Sequence, residues 1–359
     1  MFKRVVICLF YLEREQNFLF NPILVEKKRV KNLATLHLVT GGAGFIGSHI
    51  TSALLNKGEK VRIIDDFSTG KRENISSFLS EIEIFEGSLL DYDFLLRATR
   101  GVNVIYHQGA IPSVPRSIMD PVLSNHVNIG GTVNLLQAAV KNSVSRFVYA
   151  ASSSAYGNTE QLPKRETMDA NPLSPYAISK YTGELYCKIF YDIYGLETIS
   201  LRYFNVFGPR QNPYSEYSAV IPKFISLMLN NNRPIIYGDG SQSRDFTYID
   251  NVVLANLLAA TSPNLNGEVI NIGTGNMIAL NQLVCKINTI LDKKIEPIYS
   301  KERIGDVKES LADIEKATKL IGYKPIVSFN EGLERTIRWF QSKECEQYRN
   351  VIKLKNNKV

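Results

Sequence analysis

The chain has 359 residues, 44% hydrophobic and 21% charged, a composition that excludes wholesale disorder and supplies one large or two interlocked folded units. Its formal charge of +7 sits in the flanks, since residues 1–34 carry seven basic and three acidic side chains and residues 341–359 carry five and two. The body between them is neutral, which argues against a basic nucleic-acid-binding face. Cys8, Cys187, Cys285 and Cys345 lie far apart with no C-x-x-C, so neither a disulfide framework nor a zinc site is expected, and a reducing cytoplasm fits.

The apolar stretch VVICLFYL (5–12) runs straight into EREQ. It is far shorter than the ~20 apolar residues a membrane helix needs, and no small-residue cleavage site follows closely. Residues 1–34 therefore read as an appended segment ahead of a domain that starts at LHLVT. From there β-branched and aromatic runs (LHLVT, VRIID, IEIFEG, VNVIYHQGA, RFVYAASS, TISLRYFNV) alternate with helical stretches such as SHITSALLNKG and IGGTVNLLQAAVKNS. Such alternation specifies an α/β fold, a doubly wound parallel sheet of Rossmann type with helices on both faces. It spans residues 35–206. Beyond residue 207 Pro/Gly-rich loops and shorter helices read as a smaller C-terminal α/β substrate domain (207–340), with a return crossing near 244–262 and a basic polar tail at 341–359.

Between the first strand and helix, VTGGAGFIGSH sets Gly42, Gly44 and Gly47 in G-x-G-x-x-G spacing and Gly41, Gly44 and Gly47 in G-x-x-G-x-x-G spacing. Without Cβ atoms the backbone turns tightly and approaches a pyrophosphate at the helix N-terminus, beside Phe45 and Ile46. Asp65 follows at the end of the next strand, about twenty residues on, where a carboxylate accepts ribose hydroxyls and repels a 2′-phosphate, so NAD is favoured over NADP.

In SPYAISKY (174–181), Tyr176 and Lys180 are four apart at the start of a helix and share a face. They form either an exposed pair or a base with its electrostatic partner. A phenol ionises near pH 10 unless an ammonium and a hydroxyl donor favour the anion. The strand-end cluster Ser152, Ser153, Ser154 in AASSSAYG offers such donors.

Together the glycine turn, the serine cluster ahead of Y-x-x-x-K, and the later RYFNVFGPRQ and SRDFTYIDN segments resemble the extended short-chain dehydrogenase/reductase family. With IPSVPRSIMDP and NPLSPYAISKY added, residues 36–340 are similar to nucleotide-sugar 4-epimerases, in particular those acting on UDP-N-acetylglucosamine. The resemblance implies Tyr176 as the base at the sugar 4′-hydroxyl, Lys180 on the nicotinamide ribose and lowering the Tyr pKa, and Ser152, or Ser153 if the turn is shifted, as the catalytic hydroxyl. It implies Gly41, Gly44, Phe45, Ile46, Gly47, Asp65, Gln108, Gly109, Asn128 and Tyr203 on NAD. On the UDP-sugar it implies Ser113, Ser152, Ser153, Asn205, Val220, Tyr237 under the uracil, Arg244 and Arg303 on the diphosphate, Asp306, and Ser310. It further implies a homodimer through helices 129–143 and 179–195; the charge distribution and the short apolar run leave no nucleic-acid or membrane partner expected.

Two positions depart from the family pattern. Ser88 stands where an adenine-contacting Asp is usual, and His107-Gln108-Gly109-Ala110 replaces H-x-A-A; His107 itself reads as a satisfied strand-end histidine. Because Ser153 and Ser154 replace the acidic pair that 4,6-dehydratases place after the catalytic hydroxyl, elimination lacks its acid and epimerisation is expected. A small residue at Ser310 leaves room for an N-acetyl group, so UDP-GlcNAc/UDP-GalNAc is the expected pair and UDP-glucose/UDP-galactose a slower one. A UDP-glucuronate 4-epimerase or decarboxylase is the enzymatic alternative. An NAD-binding regulator of the same fold is the non-enzymatic one, and it would have no use for the Tyr/Lys pair.

Overall fold

A computed structural model of the chain describes residues 35–213, 219–302, 308–342 and 345. The chain opens with β1 (Leu36–Thr40), α1 (Phe45–Leu55), β2 (Lys60–Asp65), β3 (Ile82–Glu86), α2 (Tyr92–Ala98) and β4 (Val104–His107). Next come α3 (Val114–Met119), α4 (Pro121–Asn125), a π turn at His126–Gly130, α5 (Gly131–Lys141), β5 (Arg146–Ser152), α6 (Pro175–Tyr194) and β6 (Glu197–Tyr203). The remainder is β7 (Val206–Phe207), α7 (Val220–Leu229), β8 (Ile235–Tyr237), β9 (Ser243–Arg244), β10 (Thr247–Tyr248), α8 (Ile249–Thr261) and β11 (Glu268–Ile272), then β12 (Ile278–Ala279), α9 (Leu280–Leu291), β13 (Ile298–Ser300), β14 (Glu309–Ser310), α10 (Glu315–Ile321) and α11 (Phe329–Gln341).

Seven strands form one parallel sheet in the order β11-β6-β5-β4-β1-β2-β3. Successive strand residues point to opposite faces, and here both faces are covered. Val39, Ile63 and Val148 join one buried cluster with Ile50 and Ile249, while their neighbours Leu38, Ile64 and Phe147 join the other with Leu135 and Phe190. Coverage on both sides is why the strands read as unbroken apolar runs rather than alternating ones. The strand order reverses between β1 and β4, and at such a switch point the loops at the carboxyl ends part to leave a crevice.

The stretch TISLRYFNV, expected as one strand, is two. β6 stops at Tyr203 and β7 starts at Val206, with Asn205 at φ +34° between them. The break is held by Asn205 Nδ2 donating to Asp245 O at 3.0 Å and Thr247 N donating to Asn205 O at 3.2 Å, so β7 leaves the large sheet and pairs with β10. Smaller sheets follow, with β12-β9-β14 in one and β13-β8 in another. No described helix is long and apolar enough to cross a membrane, and the described residues hold no cluster of metal ligands.

Candidate active site

The glycine turn lies at the switch point. Gly41 has φ +63°, and a Cβ on it would come within 2.9 Å of the backbone of Gly109; a Cβ on Gly47 would come within 2.1 Å of Gly41 O. Backbone meets backbone, which only glycine permits. Gly44 precedes α1 without a side-chain cap, so the first-turn N–H groups of Phe45, Ile46 and Gly47 remain available to an anion. Asp65 is buried and braces the turn, its Oδ2 accepting from Ala43 N and its Oδ1 from Phe67 N, both at 2.9 Å. Burial pushes its carboxyl above the usual range and those two donors pull it back. Each carboxylate oxygen accepts more than one hydrogen bond, so bracing leaves capacity for ribose hydroxyls. This cradle fits a dinucleotide pyrophosphate. Ser88 opens the turn into α2 instead, its Oγ accepting from Leu90 N.

SPYAISKY folds as the start of α6 for local reasons: Ser174 caps it by accepting from Ala177 N at 3.1 Å, and Pro175 occupies the first helical position. The helix places Lys180 in the interior, 5% exposed, so the pair with Tyr176 is not an ordinary exposed one. Lys180 Nζ donates to Ala150 O at 2.8 Å and stands 5.1 Å above the Tyr149 ring. Burial lowers its ammonium to about 8, against the raising influence of Cys187 and Glu184. The Tyr176 phenol is pushed up by burial, and the neighbouring Ser152 hydroxyl pulls it down. An ammonium carries three N–H groups, so the Ala150 contact leaves Lys180 two for other acceptors. Ser152 accepts from Ser154 N (3.2 Å) and Ser154 Oγ (2.8 Å), which leaves its own O–H for Tyr176. Ser153 begins the short 3-10 turn that follows.

One turn below Lys180, Glu184 forms a buried two-pronged pair with Arg202, Nε to Oε1 at 2.9 Å and a terminal nitrogen to Oε2 at 2.7 Å. The guanidinium also lies 4.6 Å from the centre of the Tyr156 ring. Arg202 stands beside α6 on β6, and β6 ends at Tyr203. Tyr203 OH exchanges hydrogen bonds with Gln108 (3.1 and 3.3 Å) and receives Asn256 Nδ2 at 2.8 Å. Asn256, on α8, was not among the expected residues. Asn128, fully buried, receives Ile111 N on its Oδ1 at 2.8 Å and donates to Ser179 Oγ at 3.1 Å.

Beyond the sheet, Arg244 on β9 is in register with Ser310 on β14 and donates to Lys308 O at 2.9 Å. A second unexpected residue joins these segments. Asp245, fully buried, accepts from Thr274 N (2.8 Å), Thr274 Oγ1 (2.7 Å), Gly275 N (3.0 Å) and Ala312 N (3.2 Å), while its backbone N donates to Ser310 O at 2.6 Å. Asn205, Arg244 and Ser310 are thereby tied together. Tyr237 ends β8 opposite Ser300 and lines a cavity of about 470 Å³ with Asn158, Gln242 and Lys308. Val220 begins α7, and Ser113 caps α3 at φ +96°. Arg303 and Asp306 lie outside the described residues.

Residues 37–273 match the model of the NAD dependent epimerase/dehydratase family. A solved structure, UDP-N-acetylglucosamine 4-epimerase from Methanobrevibacter ruminantium M1 in complex with UDP-N-acetylmuramic acid, superposes with a TM-score of 0.83 at 42% identity, over 86% of this chain and 99% of that one. UDP-glucose 4-epimerase of Mycolicibacterium smegmatis is 36% identical over 85% of this chain and 98% of its own. UDP-glucuronate 4-epimerase of Thermodesulfobacterium geofontis is 34% identical over 90% and 99%. The glycine cradle and these matches lead to one conclusion: the chain belongs to the NAD-dependent epimerase/dehydratase family.

Proposed function

We propose that the protein is a UDP-hexose 4-epimerase that interconverts UDP-GlcNAc and UDP-GalNAc, with UDP-glucose and UDP-galactose as a slower pair. The observation that carries this reading is the placement of Ser152 at the end of β5 beside Tyr176 on α6, where the hydroxyl pulls the phenol down, followed by Ser153 and Ser154 where an elimination would need an acid.

NAD, when bound, supplies the hydride acceptor at C4. Tyr176 takes the 4′-hydroxyl proton as the hydride leaves; Ser152, its lone pairs occupied by Ser154, donates to the phenolate as charge develops. Lys180 holds a positive charge on the same helix face and orients against β5 through Ala150. With no acid beside Ser152 to expel a leaving group, the 4-keto sugar turns over in the cleft and is reduced on its other face, Tyr176 returning the proton. Arg244 contributes a guanidinium for the diphosphate, and Tyr237 a flat ring for the uracil. The small Ser310 side chain, half-buried on β14, leaves volume for a C2 substituent.

The test is a panel of UDP-GlcNAc, UDP-glucose and UDP-glucuronate with purified protein, products separated by chromatography. UDP-glucuronate is included because a relative carries that activity in its name. Epimerised UDP-GlcNAc is the expected outcome; a uronic product or released CO2 without it would sink the assignment. Tyr176→Phe is expected to lower turnover about a hundredfold or more while bound NAD is retained.

A homodimer belongs to the same reading. Leu185, Ile189 and Ile193 on α6, with Ile118 and Val122 on α3 and α4, form an exposed apolar face. The apolar residues of α5, Leu135, Leu136 and Ala139, are instead buried in the chain's own core, which narrows the expected pairing surface to α6 and its α3/α4 neighbours.

A further inference from the structure

His107 has a hydrogen-bond partner on each ring nitrogen, and the partners fix its proton. Thr132 Oγ1 lies 2.6 Å from Asn128 O, a carbonyl that only accepts, so the Thr132 hydroxyl spends its hydrogen there. Its 2.9 Å contact with His107 Nε2 then requires an Nε2–H donor. Nδ1 is consequently an acceptor, and Thr40 Oγ1, 2.7 Å away, donates to it while itself accepting from Gly109 N at 3.1 Å. Onward from Thr132, Asn128 donates to Ser179 Oγ (3.1 Å), and Ser179 donates to Tyr176 O (2.8 Å). Thr40, His107, Thr132, Asn128 and Ser179 are all essentially sealed from solvent.

We propose that this one-directional chain, with neutral His107 at its centre, is a positioning device that sets the catalytic helix against the glycine turn. It begins at Gly109, whose backbone abuts Gly41, and ends on the backbone of Tyr176. The chain runs from β1 and β4, which their ladder already fixes to each other, through α5 and the turn before it to α6, and these helices otherwise meet the sheet largely through apolar packing that tolerates small slips. Hydrogen bonds between buried groups do not tolerate them, because a displaced donor loses its partner with no water to replace it. Thr132 and Thr40 touch neither substrate nor reacting atoms in this scheme; they act through Tyr176.

The inference rests on Tyr176 being the base, and the experiment separates the two ideas. Thr132→Val keeps shape and removes the hydroxyl, whereas Thr132→Ser keeps the hydroxyl and removes a methyl. With UDP-glucose and UDP-GlcNAc as substrates, Val is expected to lower kcat about tenfold or more with KM changed less than about threefold, and Ser to stay within about twofold of wild type. A packing role gives the reverse order, so equal losses in both variants, or a Val variant as active as wild type, overturn the proposal. Should Thr132→Val fail to fold, Thr40→Val and Thr40→Ser are read by the same criterion. Independently of activity, the imidazole ¹⁵N shifts of His107 are expected to show the neutral Nε2–H tautomer at pH 7; an Nδ1–H tautomer or an imidazolium overturns it. If Tyr176→Phe is itself fully active while the tautomer is as stated, the assignment of the base has failed and not the chain.

Discussion

His107 and His49 both occupy sites where a positive charge has no place. Burial, assisted by the nearby Lys180 charge for His107 and the Arg210 charge for His49, lowers each imidazole to about 3. An unfolded histidine titrates near 6.5, so between the two values the unfolded chain binds protons that the folded chain does not. The stability from each neutral imidazole is full above pH ~6.5 and is lost as the pH falls toward 3, by roughly 2 kcal/mol per histidine at pH 5. The raised carboxyls of Asp65 and Asp245 act in the opposite sense, since they favour the folded state at low pH. A comparison of variants isolates the histidine contribution. Thermal melts of His49→Gln are expected to lose less between pH 7 and pH 5 than those of wild type, and parallel curves would refute the assignment. At the sugar end, Ser310→Tyr is expected to cut UDP-GlcNAc turnover about tenfold while UDP-glucose changes less than about threefold; equal effects on both sugars would remove Ser310 as the gate. What was legible at this scale were the residues whose chemistry is rare, a glycine triplet and a Tyr/Lys pair at one-turn spacing. Asn256 and Asp245 gave no such signal. Their roles exist only because the fold brings Asn256 to Gln108 across 148 positions of sequence and sets Ala312 against the Asp245 carboxylate.

Among the elements, α1 and α6 were readable because their ends carry local chemistry: Gly44 before one, and Ser174-Pro175 before and Gly195 (φ +70°) after the other. The break between β6 and β7 was not readable. Tyr203-Phe204-Asn205-Val206 has strand propensity throughout, and what stops the strand is the distant Asp245 carbonyl. The closeness of backbone at the α1 entrance gives an element-level prediction. In Gly47→Ala the new methyl would sit 2.1 Å from Gly41 O and 3.0 Å from Gly42 Cα, backbone atoms with no flexible end to yield. The turn must open, and protein purified from this variant is expected to carry no bound NAD when the denatured supernatant is assayed. A stoichiometric cofactor content would show that the turn adapts.

For the whole molecule, the apolar face of α6 asks for a partner surface, since monomers seldom leave so continuous a patch in water. Ile189→Glu, placed at 46% exposure on that face, is expected to shift the protein from dimer to monomer in light scattering with its far-UV spectrum intact; a wild type already monomeric at micromolar concentration would exclude the dimer. The chain's route through the two-rung β7–β10 ladder bears on how such a protein diversifies. Val206 lies beside Thr247 and Phe207 beside Tyr248, running in parallel, so the 39 residues between the two strands leave and return at one clasp, with β8 and β9 inside it pairing to β13, β12 and β14 beyond it. Closing a loop whose ends are already held costs little more when the loop is lengthened. Exposed loops can therefore be lengthened inside the clasp, while Ile221, Phe224 and Ile236 within it share one core with Val39 and Ile63 of the sheet and stay tied to it. Under the proposed function, changes in those exposed loops and at β14 are expected to shift sugar preference while the Gly41–Gly47 turn stays as it is.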